Sequence, residues 1–243
     1  MLGRLRERYQ SAMMPIGRAL AKTGITPNGI TFLTLLVALV TAYVFFLGNL
    51  IIGFLLMLLT VVMDTFDGAV ARAANLGSKF GATFDHTLDR YAEFLFMLGL
   101  MMGPSGPTGI PWWPHAANDA FVPWFWGVFA IFGMLMASFV RAKAESVGGM
   151  ASCAVGIAER QEKLLLTFAG ILLLALPSTN LWLDFLALMP PTVTAFFEGI
   201  LITNILTVFV VVVGILSHIT VVQRLAYARK MILGPGKDAS GNV

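Results

Sequence analysis

Charged residues are scarce in this sequence, where they make up 12% of 243 residues. A soluble domain carries about 25% charged residues, which it needs to cover its surface. The hydrophobic fraction is correspondingly high, at 58%. Long apolar runs account for both figures, because a helix that crosses a bilayer needs about 20 mostly apolar residues. The composition argues against a large soluble helical protein and favours an integral membrane protein.

The sequence also has only one cysteine and a net charge of only +3. Cys153 has no partner in the chain for a disulfide, and we interpret it as a small buried apolar residue. The basic residues cluster beside apolar runs, where anionic headgroups attract each of them by about 1 kcal/mol. We therefore predict anchoring to the membrane surface and no nucleic-acid partner.

Lysine and arginine are absent from residues 23–71, 91–140 and 164–223. With six membrane spans, the four basic clusters that remain fall on one side, which the positive-inside rule makes cytoplasmic. We therefore predict an all-α protein of the cell (cytoplasmic) membrane, with six transmembrane helices and both termini in the cytoplasm. The predicted spans are 30–48, 50–73, 80–102, 121–144, 163–186 and 193–225.

The rest of the chain is predicted to flank this membrane domain. Residues 1–24 are basic and amphipathic, which is typical of a juxtamembrane helix lying on the cytoplasmic surface. Residues 25–230 form the six-helix domain, and residues 231–243 form a flexible cytoplasmic tail. The outer loop 103–120 is rich in Pro, Gly and Trp, as in an irregular loop with an interfacial aromatic belt.

Four aspartates interrupt the apolar pattern in one stretch, DTFDGAVARAANLGSKFGATFDHTLD, residues 64–89. Asp64 and Asp67 are three residues apart, and Asp85 and Asp89 are four apart, so each pair shares one face of a helix. The NLGSK turn between the pairs predicts two antiparallel, neighbouring helices. All four carboxylates would then converge at the cytoplasmic end of the membrane.

Converging carboxylates repel one another, and each costs about 2.5–3.5 kcal/mol at mid-membrane on insertion scales. Two divalent cations would neutralise them. A set of oxygen ligands favours Mg²⁺, Mn²⁺ or Ca²⁺ over zinc. His86 is predicted to point away from Asp85 and Asp89 as a rim or structural residue. Gly68 and Gly81 remove side chains beside the carboxylates, so that a ligand or another helix can approach.

The whole pattern is Asp64-x2-Asp67-Gly68-x2-Ala71-Arg72-x8-Gly81-x3-Asp85-x3-Asp89. It resembles the signature of the CDP-alcohol phosphotransferases at all eight positions. The resemblance implies transfer of a phosphatidyl-type group from a CDP-linked lipid to an alcohol, with release of CMP. It implies that the four aspartates bind two divalent ions, Mg²⁺ or alternatively Mn²⁺, and that Asp89 is also the catalytic base. The CDP-lipid site would be lined by Thr26, Pro27, Asn28, Gly68, Ala71 and Arg72.

The acceptor is indicated by a second set of residues, in ASFVRAKAESVG, GIAERQEKLLL and VVQRLAYARK. Basic residues at the cytoplasmic ends of helices suit a phosphorylated acceptor, although snorkelling to anionic headgroups explains charge alone equally well. The stretches resemble the branch of the family that makes phosphatidylinositol phosphate or its archaeal ether-lipid counterpart. That resemblance implies that the phosphate of inositol 1-phosphate is held by Ser138, Arg141, Lys143, Arg160 and Arg224.

Three alternatives stay open at this level. Glycerol 3-phosphate, or another polar alcohol, is the rival acceptor for the same donor chemistry. A divalent-cation transporter is a different class, because intramembrane acids often line ion pathways. The donor is CDP-diacylglycerol or CDP-archaeol, which the residues do not distinguish. Small residues in the last spans, together with the resemblance, also predict a homodimer.

Overall fold

The computed structural model describes residues 13–104, 120–176 and 181–234. Throughout these ranges the regular secondary structure is helical, so the predicted all-α class is confirmed. The helices are α1 (13–22), α2 (Pro27–Phe46), α3 (Leu50–Ala73), α4 (Lys79–Met102), α5 (Trp124–Ser146), α6 (Arg160–Ala175), α7 (Leu181–Ala187), α8 (Pro191–Gly199) and α9 (Ile205–Leu233).

Side-chain caps define where the long helices begin. Thr26 accepts a hydrogen bond from the Gly29 amide, and Pro27 follows it as the first residue of α2. Ser78 caps α4 in the same way, and Asn204 caps α9. These short polar side chains satisfy amide groups that have no partner inside the helix. The TPN and NLGSK stretches of the sequence are therefore helix starts.

Four of the described helices are long and apolar enough to cross a membrane, namely α2, α3, α5 and α9. The predicted count of six spans also needs α4 and α6. Helix α4 has 24 residues but includes five charged side chains. Helix α6 has 16 residues, which span only about 24 Å at 1.5 Å per residue. The protein is thus a multi-pass membrane protein, and six spans remain a prediction.

Two predicted spans are wrong as continuous helices. The run 163–186 is interrupted because α6 ends at Ala175 and Leu176 takes an extended conformation. The next residue in the sequence is Pro177, and a residue before proline disfavours helical geometry. The run 193–225 is interrupted between α8 and α9, where Leu201 has a φ of 58°. That left-handed conformation costs energy in a branched residue and ends the helical path.

The described chain divides into two compact units, residues 1–103 and 104–243. In the first unit α2 packs against both α3 and α4. The two aspartate-bearing helices α3 and α4 make few close backbone contacts with each other. Their aspartate side chains nevertheless meet at the ends of the two helices. Glycine allows a close approach of α4 to α2, since a Cβ at Gly99 of α4 would lie 2.5 Å from the Ala42 carbonyl oxygen of α2.

The second unit is built around α9, against which α5 and α6 pack. Two tryptophans fix the non-helical turn that precedes α9. Trp126 donates its indole N–H to the Ile200 carbonyl at 2.7 Å, and Trp182 donates to the Ile202 carbonyl at 3.0 Å. A buried indole N–H needs such a partner. These bonds give hydrogen-bond donors to backbone carbonyls that lie outside the regular helices.

The two predicted end segments are described in part. Residues 13–22 are helical, and a Cβ at Gly17 would lie 2.6 Å from the Ala69 carbonyl oxygen, so α1 packs closely on α3. Residues 1–12 of the predicted juxtamembrane helix lie outside the described residues. Of the predicted tail 231–243, the first three residues belong to α9 and residues 235–243 lie outside the description. Residues 105–119, which make up most of the predicted outer loop, also lie outside the described residues.

Candidate active site

Asp67 of α3 is buried and is held by two hydrogen bonds. Only 7% of its surface is exposed. The Thr31 hydroxyl of α2 donates to Asp67 Oδ2 at 2.8 Å, and the Gly68 amide donates to Asp67 Oδ1. A buried carboxylate without such donors would cost several kcal/mol. The packing of α2 on α3 therefore fixes this side chain.

Three carboxylates converge at the ends of α3 and α4. One oxygen from each of Asp64, Asp67 and Asp85 lies within 4.8 Å of the other two. A second group of three shares Asp85 and adds His86 and Asp89, again with one atom from each within 4.8 Å of the others. Such distances suit oxygen-rich ligand sets around hard divalent cations. The donor chemistry and the shared Asp85 fit two adjacent cations.

His86 lies closer to this cluster than helical spacing predicted. Its Nδ1 is 3.9 Å from Asp85 Oδ2, and 81% of its side chain is exposed. Helix rotation separates neighbouring residues by about 100°, yet the His86 ring lies beside the Asp85 carboxylate. The histidine is at the rim, as predicted, and is also within reach of a cation.

Asp89 lies at the start of a charged row along α4. It is 7% exposed, and its Oδ2 is 4.0 Å from Arg90 Nη2. Arg90 also pairs with Glu93 at 2.7 Å, and Glu93 is itself buried. Arg90 and Glu93 were not among the predicted site residues. The sequence does mark these two residues, because a pair of opposite charges three residues apart in an apolar helix is unusual.

The residues predicted to line the CDP-lipid site lie at three helix ends of the same unit. A Cβ at Gly81 would lie 3.2 Å from Asn28 Oδ1, so the start of α2 adjoins the start of α4. A Cβ at Gly68 would lie 3.2 Å from Arg72 Nη1, so the arginine covers that glycine. Thr26, Pro27 and Ala71 complete the predicted set and lie at the same helix ends.

The predicted acceptor residues all lie in the second unit, and Arg224 has the most defined surroundings. It is 8% exposed, and no Lys, Arg, Asp or Glu precedes it in α9. Its Nε donates to the Val155 carbonyl at 2.8 Å, and its Nη1 donates to the Ala137 carbonyl at 2.5 Å. The guanidinium thus joins α9 to α5 and to the segment before α6.

Arg141 and Lys143 are more exposed, near the end of α5. Arg141 Nε donates to Glu145 Oε1 at 3.0 Å, and 47% of the Arg141 side chain is exposed. The Lys143 ammonium lies 5.7 Å from the centre of the Phe139 ring, within cation–π range. Ser138 lies in the same helix and is half-buried.

Arg160 is the first residue of α6, and Lys163 follows it by one helical turn. Lys163 is 6% exposed and was not among the predicted residues. Its place in the GIAERQEKLLL stretch gave no indication of burial, because a lysine at a helix start is more often solvated. Lys163 lies on the same face of α6 as Arg160, because the two residues are three apart. It therefore adds a buried cation to this part of the second unit.

Residues 24–190 match the sequence model of the CDP-alcohol phosphatidyltransferase family. The chain therefore belongs to the CDP-alcohol phosphatidyltransferase family. It is a transferase of phospholipid biosynthesis, as the aspartate signature predicted. The transporter alternative is thereby set aside.

Relatives are known from archaea and bacteria. The archaetidylinositol phosphate synthase of Pyrococcus horikoshii is 29% identical over 232 residues, covering 96% of this chain and 98% of that protein. The phosphatidylinositol phosphate synthase of Cutibacterium acnes is 34% identical over 172 residues, covering 70% and 77%.

Solved structures of the Mycobacterium tuberculosis phosphatidylinositol phosphate synthase are also similar. The crystal structure with CDP-DAG bound has a TM-score of 0.69 at 26% identity, covering 93% of this chain and 96% of that one. The complex with manganese and citrate has a TM-score of 0.68 at 25% identity, covering 93% and 91%.

Proposed function

We propose that the protein transfers a phosphatidyl or archaetidyl group from a CDP-linked lipid to inositol 1-phosphate and releases CMP. The family assignment supports the donor chemistry. Two relatives that cover 96% and 70% of the chain are named as inositol phosphate lipid synthases, which supports the acceptor. The single observation that carries the mechanism is the convergence of carboxylates around Asp85.

Two divalent ions, Mg²⁺ or Mn²⁺, would be held by Asp64, Asp67, Asp85 and Asp89. When bound, they would supply positive charge against the pyrophosphate and the departing phosphate. The residues fit that role because the donors are oxygens, and because Asp85 belongs to both groups of three. Asp67, held by Thr31 and Gly68, provides a preorganised ligand.

Asp89 is proposed as the base. Its carboxylate takes the proton of the acceptor hydroxyl, and the oxygen then forms a bond to the lipid-side phosphorus while the bond from that phosphorus to CMP breaks. Geometry matters more than basicity for a carboxylate in this role. Arg90, 4.0 Å from Asp89, and its partner Glu93 restrict where that carboxylate can point.

The phosphate of the acceptor is proposed to be recognised by cations of the second unit, namely Arg141, Lys143, Arg160 and Arg224, with Ser138. Arginine offers paired N–H donors that match phosphate oxygens. Arg141 is the most informative of these to test, because nearly half of its side chain is exposed. Arg224 is already committed in part to backbone carbonyls, so its substitution would disturb structure as well.

The arrangement in the membrane is part of the proposal. Helices α4 and α6 would complete six spans, and the side rich in Lys and Arg would be cytoplasmic. The active site and both termini would then face the cytoplasm, which supplies the water-soluble inositol 1-phosphate and receives the released CMP. A homodimer is proposed from the small residues in the last spans.

The acceptor assignment is tested with Arg141→Ala in purified protein, with CMP release as the readout. We expect KM for inositol 1-phosphate to rise at least tenfold, since a charge-assisted contact to phosphate is worth about 1.5–3 kcal/mol. The KM for CDP-diacylglycerol or CDP-archaeol should change less than twofold. A rise in the donor KM alone would contradict the assignment, and turnover with glycerol 3-phosphate alone would replace inositol 1-phosphate as the acceptor.

A further inference from the structure

A segment without helix or strand, residues 152–157, connects the end of α5 to the approach to α6. Side chains bind its backbone at alternate residues. The Cys153 amide donates to Glu145 Oε1 at 2.9 Å, the Val155 carbonyl accepts from Arg224, and the Ile157 amide donates to Gln223 Oε1 at 2.8 Å. These three bonds replace the ladder that a β-strand partner would provide.

Glu145 links this segment to one of the proposed acceptor ligands. The same oxygen, Glu145 Oε1, accepts from Arg141 Nε at 3.0 Å and from the Cys153 amide at 2.9 Å. Charge-assisted hydrogen bonds of this kind are shorter and stronger than neutral ones. The direction of the Arg141 guanidinium and the position of Cys153 are therefore set by one carboxylate.

The segment also lies directly on α9. Gly156 has a φ of 144°, a conformation that residues with a side chain rarely adopt. A Cβ at Gly156 would collide with the Thr220 side chain, so the backbone itself forms the contact with α9. Four residues further along, the chain enters α6 at Arg160. The segment therefore determines how α6 presents its first residue.

We propose that Glu145 and Gln223 are positioning residues that set the specificity for a phosphorylated acceptor. They hold the 152–157 segment, and the segment in turn aligns Arg160. Glu145 also aligns Arg141 directly. Neither Glu145 nor Gln223 needs to contact the acceptor. This inference rests on the proposed function, because it assumes that Arg141 and Arg160 bind the acceptor phosphate.

The single cysteine of the sequence makes the segment measurable. Cys153 is fully buried and lies between α5 and α9, where its Sγ is 3.9 Å from the Arg224 carbonyl oxygen. Its rate of alkylation by N-ethylmaleimide reports how often the segment opens. The full-length protein in detergent needs no engineered label for this assay.

The test compares Glu145→Ala and Gln223→Ala with the wild type. Both variants remove a bond to the segment, so we expect Cys153 to be alkylated about tenfold faster. We also expect KM for inositol 1-phosphate to rise about fivefold or more, with KM for the CDP-lipid unchanged within twofold. Gln223→Ala gives the same comparison if Glu145→Ala does not fold.

Two matched variants serve as controls. Glu145→Gln keeps an oxygen that can accept from the Cys153 amide, so alkylation should stay within about threefold of the wild type. Glu198→Gln removes a charge from exposed α8 and should change neither measurement.

Four results would overturn the inference. They are faster alkylation with an unchanged acceptor KM, an equal rise in both KM values, a rise in acceptor KM without faster alkylation, and no change in either measurement. Failure of the proposed function has a different signature, because the wild type itself would then not require a phosphorylated acceptor. The alkylation rates do not depend on any acceptor.

Discussion

Single residues determine how the aspartate cluster is held, and Thr31 shows this most clearly. Its hydroxyl reaches from α2 to Asp67, the aspartate that is most deeply buried in α3. A group that orients a metal ligand typically contributes tenfold to hundredfold in metal affinity. The sequence could not reveal this contact, because Thr31 and Asp67 are 36 residues apart.

We predict that Thr31→Val raises the Mg²⁺ concentration needed for half-maximal transfer by about tenfold or more. Valine has nearly the same shape but cannot donate to Asp67. The measurement is CMP release over a Mg²⁺ titration. Thr34→Val is the matched control, because the Thr34 hydroxyl bonds only the Ile30 carbonyl of its own helix among the contacts described. Equal shifts in both variants would contradict a specific role for Thr31.

A second prediction concerns Asp89. Asp89→Asn should lower the rate of transfer by a factor of about 10² to 10⁴, the range expected for loss of a positioned base. The variant should still fold, since asparagine fills the same space; thermal unfolding in detergent checks this. Asp184→Asn, on α7, should leave the rate unchanged. Substantial turnover by Asp89→Asn would remove Asp89 as the base.

The aspartates could be predicted from sequence because fixed spacing on a helix translates directly into a shared face. Lys163 could not, because a charged residue near a helix end is usually solvated, and only tertiary packing buries it. The predicted acceptor role of Arg224 also looks different in the structure. Two of its donors bind backbone carbonyls, and no sequence motif predicts these hydrogen bonds.

At the level of elements, glycines decide which helices meet. Helix α2 packs against both α3 and α4, and its backbone comes close to α4 at Gly99. We predict that Gly99→Ala destabilises the protein by about 1–3 kcal/mol, because the added methyl group would lie 2.5 Å from a backbone oxygen that cannot rotate away. Thermal unfolding in detergent measures the change.

Gly77→Ala provides the control for that prediction. A Cβ at Gly77 would meet no atom within 4 Å, and its φ is not in the left-handed region. This variant should be neutral or slightly stabilising, since alanine restricts the unfolded chain. A loss of stability in Gly77→Ala as large as in Gly99→Ala would contradict the packing argument.

Element boundaries were harder to predict than element types. Apolar runs indicated membrane helices correctly for α2, α3, α5 and α9. Hydrophobicity alone does not report where a helix stops, so the interruptions after Ala175 and before Ile205 were missed. The short connection between α3 and α4 likewise suggested direct packing, whereas α2 provides the packing surface for both.

For the whole molecule, the divalent ions couple catalysis to stability. Any ligand that binds only the folded state stabilises it, by about 2.7 kcal/mol at a concentration of 100 times Kd. We therefore predict that removal of divalent ions by a chelator abolishes CMP release and lowers the unfolding temperature in detergent. Restoring Mg²⁺ or Mn²⁺ should reverse both effects. Full activity in excess chelator would contradict a metal-dependent site at the aspartates.

The central claim is that this enzyme uses a CDP-linked lipid and a phosphorylated inositol. The most direct measurement is kcat/KM for inositol 1-phosphate and for unphosphorylated inositol, using purified protein, CDP-diacylglycerol or CDP-archaeol, and CMP release. We predict a preference for inositol 1-phosphate of at least about a hundredfold, since several charge-assisted contacts to the phosphate are lost with inositol. Equal use of the two alcohols would contradict the account.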